Sequence, residues 1–306
     1  MIEPGGFRAV LTADGPGAAF QAARAGTTTA LAWRSSDGLE IQGLLTQPER
    51  ATTDGPHPLV VQVHGGPTHA CRNTWVGRDP HVSCLVARGY AVLRPNPRGS
   101  TGRGRAFAEA VAGDMGGLDV DDVVTGVHHL VDLGVADPTR LGITGISYGG
   151  FLASWVPCRT DLFAAAVSRS PCTDWLLQHL TSNIAEFDRR FLEGEPFDHG
   201  SQYDARSPLR HADRARTPML LTAGSHDLAT PPSQAHALYS ALRERGVDTQ
   251  LVLYPEEGHG VQHPPAIADQ CARMIAWFDG YLTDRAAGQD DPLDGATKPA
   301  PFPADR

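Results

Sequence analysis

A serine at position 147 stands between glycines two before and two after it, in the run Gly145-Ile146-Ser147-Tyr148-Gly149-Gly150. A serine hydroxyl is a poor nucleophile at neutral pH and attacks a carbonyl only when presented clear of its own backbone beside a base. The tight strand-turn-helix that presents it needs glycine or a very small residue at those flanking positions, so the spacing carries the signal. A base within reach, and an acid to hold the base's second ring nitrogen, complete the set. Two later stretches offer them, Ala223-Gly224-Ser225-His226-Asp227 and Tyr254-Pro255-Glu256-Glu257-Gly258-His259-Gly260. His259 reads as the base, with His226 and His263 as rivals. Asp227, shortly before Pro231, reads as the acid, with Asp213 as its rival. A tetrahedral intermediate also needs two fixed donors where its negative charge develops. The backbone N–H of Tyr148 is one candidate, and the glycine pair in His64-Gly65-Gly66-Pro67 lets the N–H of Gly66 be the other. Each piece has a plainer reading as a glycine turn, a surface histidine or a turn-forming aspartate; their order and placement weigh against it.

Such residues need a scaffold to bring them together. Short apolar runs at 39–46, 59–63, 90–93, 141–146, 163–168, 219–222 and 250–253 predict strands, several of them buried on both faces. Val120, Val123, Val124, Val127, Leu130 and Val131 follow helical spacing and predict one amphipathic helix. Leu238 and Leu242 mark a second; Cys271, Met274, Ile275, Phe278 and Leu282 mark a third, in which Gly280 is a mild objection. The alternation predicts the α/β class, a mostly parallel sheet with helices on both faces. In the α/β-hydrolase fold the nucleophile, acid and histidine follow in that chain order on loops after strands, and Ser147, Asp227 and His259 do so here.

Residues 171–215 break the rhythm and read as an insertion over the carboxyl edge of the sheet, where ligands of open α/β sheets bind. Trp175, Phe187 and Phe191 within it are candidate substrate-binding residues, with core packing the equal alternative for each. Residues 28–284 are the expected catalytic domain; 1–27 and the proline- and acid-rich 285–306 are expected to be loosely ordered extensions.

A chain of 306 residues fits one such domain plus extensions, and 41% hydrophobic residues supply a sizeable core. A net charge of −9 without any basic run argues against nucleic-acid binding. Lys298 is the only lysine; the many arginines read as genome composition and solvated surface charge, with no site attached. Five scattered cysteines without a C-x-x-C pair predict free thiols in a reducing compartment. The amino terminus lacks the pattern of a signal peptide, and no apolar run approaches the ~18 residues of a membrane span. A cytoplasmic protein without membrane association is expected. No Walker or H-e-x-x-H type motif occurs, and neither metal nor cofactor is expected.

Taken together, these motifs resemble the catalytic domain of the prolyl oligopeptidase family of serine peptidases, nearest its acylaminoacyl-peptidase-like branch, over about residues 28–284. The resemblance rests on the elbow and on Asp37-Gly38-Leu39-Glu40-Ile41-Gln42-Gly43, His64-Gly65-Gly66-Pro67, Asn96-Pro97-Arg98-Gly99-Ser100-Thr101-Gly102, Arg169-Ser170-Pro171 and Ser207-Pro208-Leu209. Asp227 with Pro231 and Gln234, Tyr254-Pro255 with Gly258-His259-Gly260, and Ala276-Trp277-Phe278 complete it. It implies Ser147, Asp227 and His259 as the triad and Gly66 and Tyr148 as oxyanion donors. Members of the family usually carry a β-propeller ahead of this domain that restricts entry to short peptides; here residues 1–27 precede the matched stretch, so the resemblance does not by itself carry that filter over. His64 stands where prolyl-specific members use a tyrosine side chain, so proline specificity is not implied and a backbone-only oxyanion hole is expected.

The expected activity is hydrolysis of amide or peptide bonds through an acyl-enzyme, on a small peptide, an N-acyl amino acid or another small amide or ester. An esterase or dedicated metabolite amidase is the alternative within the same chemistry, and a catalytically silent hydrolase fold used for binding is the alternative outside it. Assembly into a homo-oligomer is left open.

Overall fold

The apolar runs pair into one eight-stranded sheet, in the order β1-β2-β4-β3-β5-β6-β7-β8. The structure is a computed structural model that describes residues 26–49, 56–74, 79–184 and 186–283. The strands are β1 (Thr27–Arg34), β2 (Glu40–Gln47), β3 (His57–Val63), β4 (Ala91–Asn96), β5 (Ala136–Ile146), β6 (Ala165–Arg169), β7 (Met219–Gly224) and β8 (Thr249–Tyr254). β2 runs antiparallel to β1 and to β4, and every other pairing is parallel. β3, in which all seven residues are buried, is the continuous apolar run expected of a parallel strand covered on both faces. β1 was not foreseen, because it is an edge strand whose burial is confined largely to Trp33 and its Thr-rich sequence shows little apolar alternation.

The helices are α1 (Pro80–Arg88), α2 (Arg105–Glu109), α3 (Leu118–Asp132), α4 (Tyr148–Trp155), α5 (Trp175–Thr181), α6 (Phe187–Phe191), α7 (Gln202–Ala205), α8 (Ser233–Glu244) and α9 (Pro264–Leu282). α3 buries Val120, Val123, Val127 and Leu130, the stripe its spacing predicts. α9 runs through Gly280 without interruption. α1 was not foreseen; Asp79 caps it through its side chain and Pro80 occupies the first turn, where a missing N–H does no harm.

Two layers cover the sheet. On one face α3, α4 and α8 build the larger core, which includes Phe151, Leu152, Trp155 and Leu238. On the other face α1 and α9 pack Val82, Leu85, Met274 and Phe278 against Val60, Val92 and Val167. Between β6 and β7, residues 171–215 contain α5, α6, α7 and a 3-10 turn at Pro208–His211, with no strand among the described residues. The segment is riveted to the larger core by Trp175, whose ring meets Phe151 at 5.0 Å, and by Gln234 of α8, which accepts from the N–H of Thr173 and of Asp174.

The reading of arginine as surface charge is corrected by the fold. Arg94, Arg98 and Arg169 are buried at 4–5% exposure. Arg98 spans Asp122 and Asp37 with ion pairs of 2.8 and 2.9 Å, so its planar fork has structural work that lysine would not perform. The expectations for 1–25 and for 284–306 fall outside the described residues. Among the described residues, no helix is long and apolar enough to cross a membrane.

Candidate active site

Ser147 ends the run from β5 into α4 with φ 61° and ψ −119°. A non-glycine residue in this region is strained by about 1–3 kcal/mol and is held there only by its surroundings. Three contacts do so. The Ser147 N–H donates to the Arg169 carbonyl at 3.0 Å, its own carbonyl accepts from Phe151 at 2.8 Å, and the Ser168 hydroxyl ties β6 to the carbonyl of Gly150 at 2.7 Å. The flanking glycines are required by close approach: a Cβ on Gly145 would overlap the backbone of Gly149, and one on Gly149 would overlap the Val63 carbonyl. The Tyr148 hydroxyl donates to the buried Asp119 of α3 at 2.7 Å, which anchors the first turn of α4 from below.

The loops after β7 and β8 supply the other two residues. Asp227 has a fully buried carboxylate, hydrogen-bonded by the N–H groups of Ala229 and Thr230 at 2.9 and 2.8 Å. Its second oxygen takes the Nδ1–H of His259 at 2.9 Å. Burial pushes this carboxyl up, but the His259 and Thr230 hydrogen bonds outweigh it and hold Asp227 below the ordinary carboxylate range. Because a carboxylate only accepts, the His259 proton sits on Nδ1 and leaves Nε2 as an acceptor. The His259 side chain keeps 34% exposure, so that nitrogen is reachable. Thr230 adds a hydroxyl shared between Asp227 at 3.0 Å and the Ser170 carbonyl at 2.9 Å. Among the described residues His259 is the only histidine bonded to Asp227. His263 instead pairs with Glu257 at 2.8 Å with a side chain 69% exposed, and His226 and Asp213 are exposed.

The His259 loop lies against the elbow, since a Cβ on Gly260 would sit 3.1 Å from Ile146 Cδ1. The glycine pair after β3 does too: a Cβ on Gly65 would sit 3.5 Å from Ser147 Cβ. Gly66 follows with φ 127°, and neither its N–H nor that of Tyr148 donates to another group among the described residues. His64 fixes this turn through 2.7 Å to the Gly65 carbonyl and 2.9 Å to Ser100 Oγ; burial pulls it down to about 4, the Gly65 contact opposing, so it is neutral at pH 7. A candidate nucleophile, an imidazole whose Nε2 is left free, a buried carboxylate behind it and two uncommitted N–H groups are the parts that acyl transfer requires.

Of the aromatic residues singled out in 171–215, Trp175 and Phe191 are buried in the larger core at 1% and 5% exposure, their rings engaged with Phe151 and Phe187. Phe187 is partly buried and packs against them. Sequence reasoning missed Thr230, Asp119 and the side chain of Arg169. Thr230 had a signal, since a threonine three residues after an aspartate favours an Asx-type turn; Asp119 reads in sequence as an ordinary acid in a helix first turn.

The elbow at the carboxyl end of a mid-sheet strand, with acid and histidine on loops after two later ones, defines an α/β-hydrolase. The prolyl oligopeptidase family profile matches residues 78–285, and the chain belongs to that family. It is 36% identical over 255 residues to the uncharacterized peptidase YuxL of Bacillus subtilis, covering 82% of this chain and 38% of that protein. It is 29% identical over 237 residues to acylamino-acid-releasing enzyme 1 of Oryza sativa subsp. japonica, covering 74% of this chain and 30% of that one. Among solved structures, Pyrococcus horikoshii acylaminoacyl peptidase superposes with a TM-score of 0.81 at 28% identity, over 92% of this chain and 46% of that one. A Mycobacterium tuberculosis puromycin-hydrolyzing peptidase gives 0.81 at 30% identity, over 88% and 41%. The chain thus spans less than half the length of these relatives.

Proposed function

We propose that this chain is the catalytic domain of a serine peptidase that hydrolyses amide and peptide bonds through an acyl-enzyme. His259 Nε2 takes the Ser147 proton, Ser147 Oγ attacks the carbonyl carbon, and the resulting oxyanion is held by the N–H groups of Gly66 and Tyr148. The C–N bond breaks as His259 returns the proton to the departing amine. Water then attacks the ester, its proton passing through His259 to Ser147, and the acid is released. Asp227 keeps the imidazole in the Nδ1–H form and stabilises its protonated state. Substrates are short peptides and N-acyl amino acid derivatives, with Phe187, beside the core residues Trp175 and Phe191, as an apolar wall.

The observation that supports this reading most is the buried Asp227 bonded to His259 at 2.9 Å, on a loop packed against Ile146, the residue before the strained Ser147. The experiment is labelling by a fluorophosphonate probe together with turnover of N-acetyl amino acid anilides. Wild-type protein labels once and turns over, and Ser147→Ala loses all labelling and falls by a factor on the order of 10^6 in kcat. Labelling retained by Ser147→Ala sinks the assignment. We place the catalytic unit at 28–284 and the protein in the cytoplasm, in keeping with its five free cysteines; cell fractionation tests the latter.

A further inference from the structure

Strands covered on both faces normally carry apolar side chains throughout. At the carboxyl end of the α1/α9 face this sheet does the opposite. Gln62 of β3 pairs with Thr144 of β5, and Ile146 of β5 pairs with Arg169 of β6. Thr144 and Ile146, two residues apart, share a face. Arg94 follows Leu93, the partner of Val61, and so lies on the face of Gln62. Among the described residues, four buried polar atoms there have no hydrogen-bond partner: Gln62 Oε1, Arg94 Nε, Thr144 Oγ1 and Arg169 Nε. Native proteins keep few such atoms, and a cluster of four on adjacent strands is not a packing accident.

Gln62, Arg94 and Arg169, each more than nine-tenths buried, line a cavity of about 700 Å³ together with Arg72, Asp79, Gly65 and Ile146. Its charge is positive in a protein whose net charge is −9. Among the described residues Asp79 is the one acid in the lining, and its oxygens are already committed to the α1 cap at 3.1 and 3.3 Å and to Gln62 Nε2 at 2.5 Å. Burial draws the Arg169 guanidinium down while Asp79 and Cys271 act on it from a distance, without an ion pair. The neighbouring His64 and His81 are both pulled down by burial, which disfavours their charged forms.

The cavity adjoins the candidate nucleophile at two points. Arg169 holds the Ser147 N–H through its carbonyl, and Ile146, which lines the cavity, is the residue that the His259 loop packs against. In the mechanism above His259 hands its proton to the departing amine, so the leaving part of a substrate lies on this side. We propose that the cavity is a leaving-side subsite for a free α-carboxylate, held chiefly by the guanidinium of Arg169 with Arg94 behind it. The favoured substrates are then acylated or peptidyl amino acids cleaved one residue from a free carboxyl terminus. This rests on the reading of Ser147, Asp227 and His259 as the triad.

The test is hydrolysis of N-acetyl-phenylalanyl-alanine as the free acid and as its carboxyl-terminal amide by the full chain, with fluorophosphonate labelling of Ser147 run in parallel. Wild-type protein favours the acid in kcat/KM by about 10- to 100-fold, mostly through KM, as expected for a charge-assisted pair. Arg169→Met brings the acid-to-amide ratio close to one and Arg169→Lys keeps part of it. Equal rates on acid and amide in wild-type protein overturn the proposal without needing any variant. A ratio unchanged in a folded Arg169→Met protein overturns it as well, as does a preference for succinyl- over acetyl-phenylalanine anilide without one for acid over amide. If neither peptide is cleaved and the probe fails to label, the triad reading falls first and takes this inference with it; labelling with cleavage of the amide alone removes only the subsite.

Discussion

The two faces of the sheet are built differently where they meet at Ser147. On the α4 side every residue of the helix is buried, and Tyr148, Phe151, Trp155 and Trp175 fill the space with rings whose polar atoms are satisfied, Trp155 Nε1 by the Gly116 carbonyl at 2.8 Å and Tyr148 by Asp119. On the α1/α9 side the deeper layer is equally apolar, with Val60, Val92 and Val167 under Phe278, but the last residues before the edge are Gln62, Arg94 and Arg169 around a cavity. One side is finished as a core and fixes Ser147, the candidate nucleophile. The other is left polar and open at the point where a ligand group would arrive. The contrast teaches that burial alone does not tell a structural residue from a binding one; unsatisfied polar atoms gathered around a cavity are the sharper sign.

Asp227→Asn sits where the two sides meet and is expected to lower kcat on the order of 10^4-fold for acid and amide substrates alike, by removing the acceptor that fixes the His259 tautomer. A loss confined to one substrate would break the comparison, since it would tie the triad to one face. Phe151→Ala, on the finished side, is expected to destabilise the fold by about 3–5 kcal/mol in denaturant unfolding, because a fully buried ring leaves a cavity among Trp155 and Trp175. Arg169→Met, on the open side, is expected to cost less than about 1 kcal/mol or to stabilise, since an unpaired buried charge is exchanged for an apolar chain. A loss as large as that of Phe151→Ala would make Arg169 a structural residue.

The smallest effect concerns pH. Asp119, buried and bonded by Gly116 N–H at 3.0 Å and by Tyr148, is pushed up to about 6, chiefly by burial and with Asp122 and Asp114 nearby adding to it. Its folded form binds a proton more tightly than an unfolded aspartate near 3.9. The stability it contributes is therefore complete below about pH 4 and lost as pH rises through about 6. Asp119→Asn is expected to flatten the melting temperature between those pH values, and an unchanged slope would show that the group does not titrate there. Asp227, held low, has the opposite sign: its contribution is present above about pH 4 and lost on acidification.

What the amino-acid sequence disclosed depended on how local the signal was. The elbow was legible because Gly145 answers a clash within five residues, although the clash that Gly149 avoids is with the distant Val63 carbonyl, and the loops of Asp227 and His259 were legible because each follows an apolar strand. The hydrogen bond that selects His259 over His263 was not, because Glu257, which captures His263, looks in sequence like any loop acid. α1 was legible in principle from Asp79-Pro80 and from Val82, Leu85 and Val86, but its span of nine residues gives the periodicity little room. The cavity was beyond sequence reasoning. An arginine at a strand end reads as solvent-facing, and only the pairing of Ile146 with Arg169 and the helices laid over that face make it an interior cation.

The bond between Ser147 N–H and the Arg169 carbonyl has an evolutionary corollary. The carbonyl belongs to the backbone and is supplied by whatever residue occupies position 169. The alignment of Ser147 is thereby insulated from the identity of the neighbouring side chain, and, on the proposed reading, mutation at this position can explore new preferences for the departing group while the serine stays where it was.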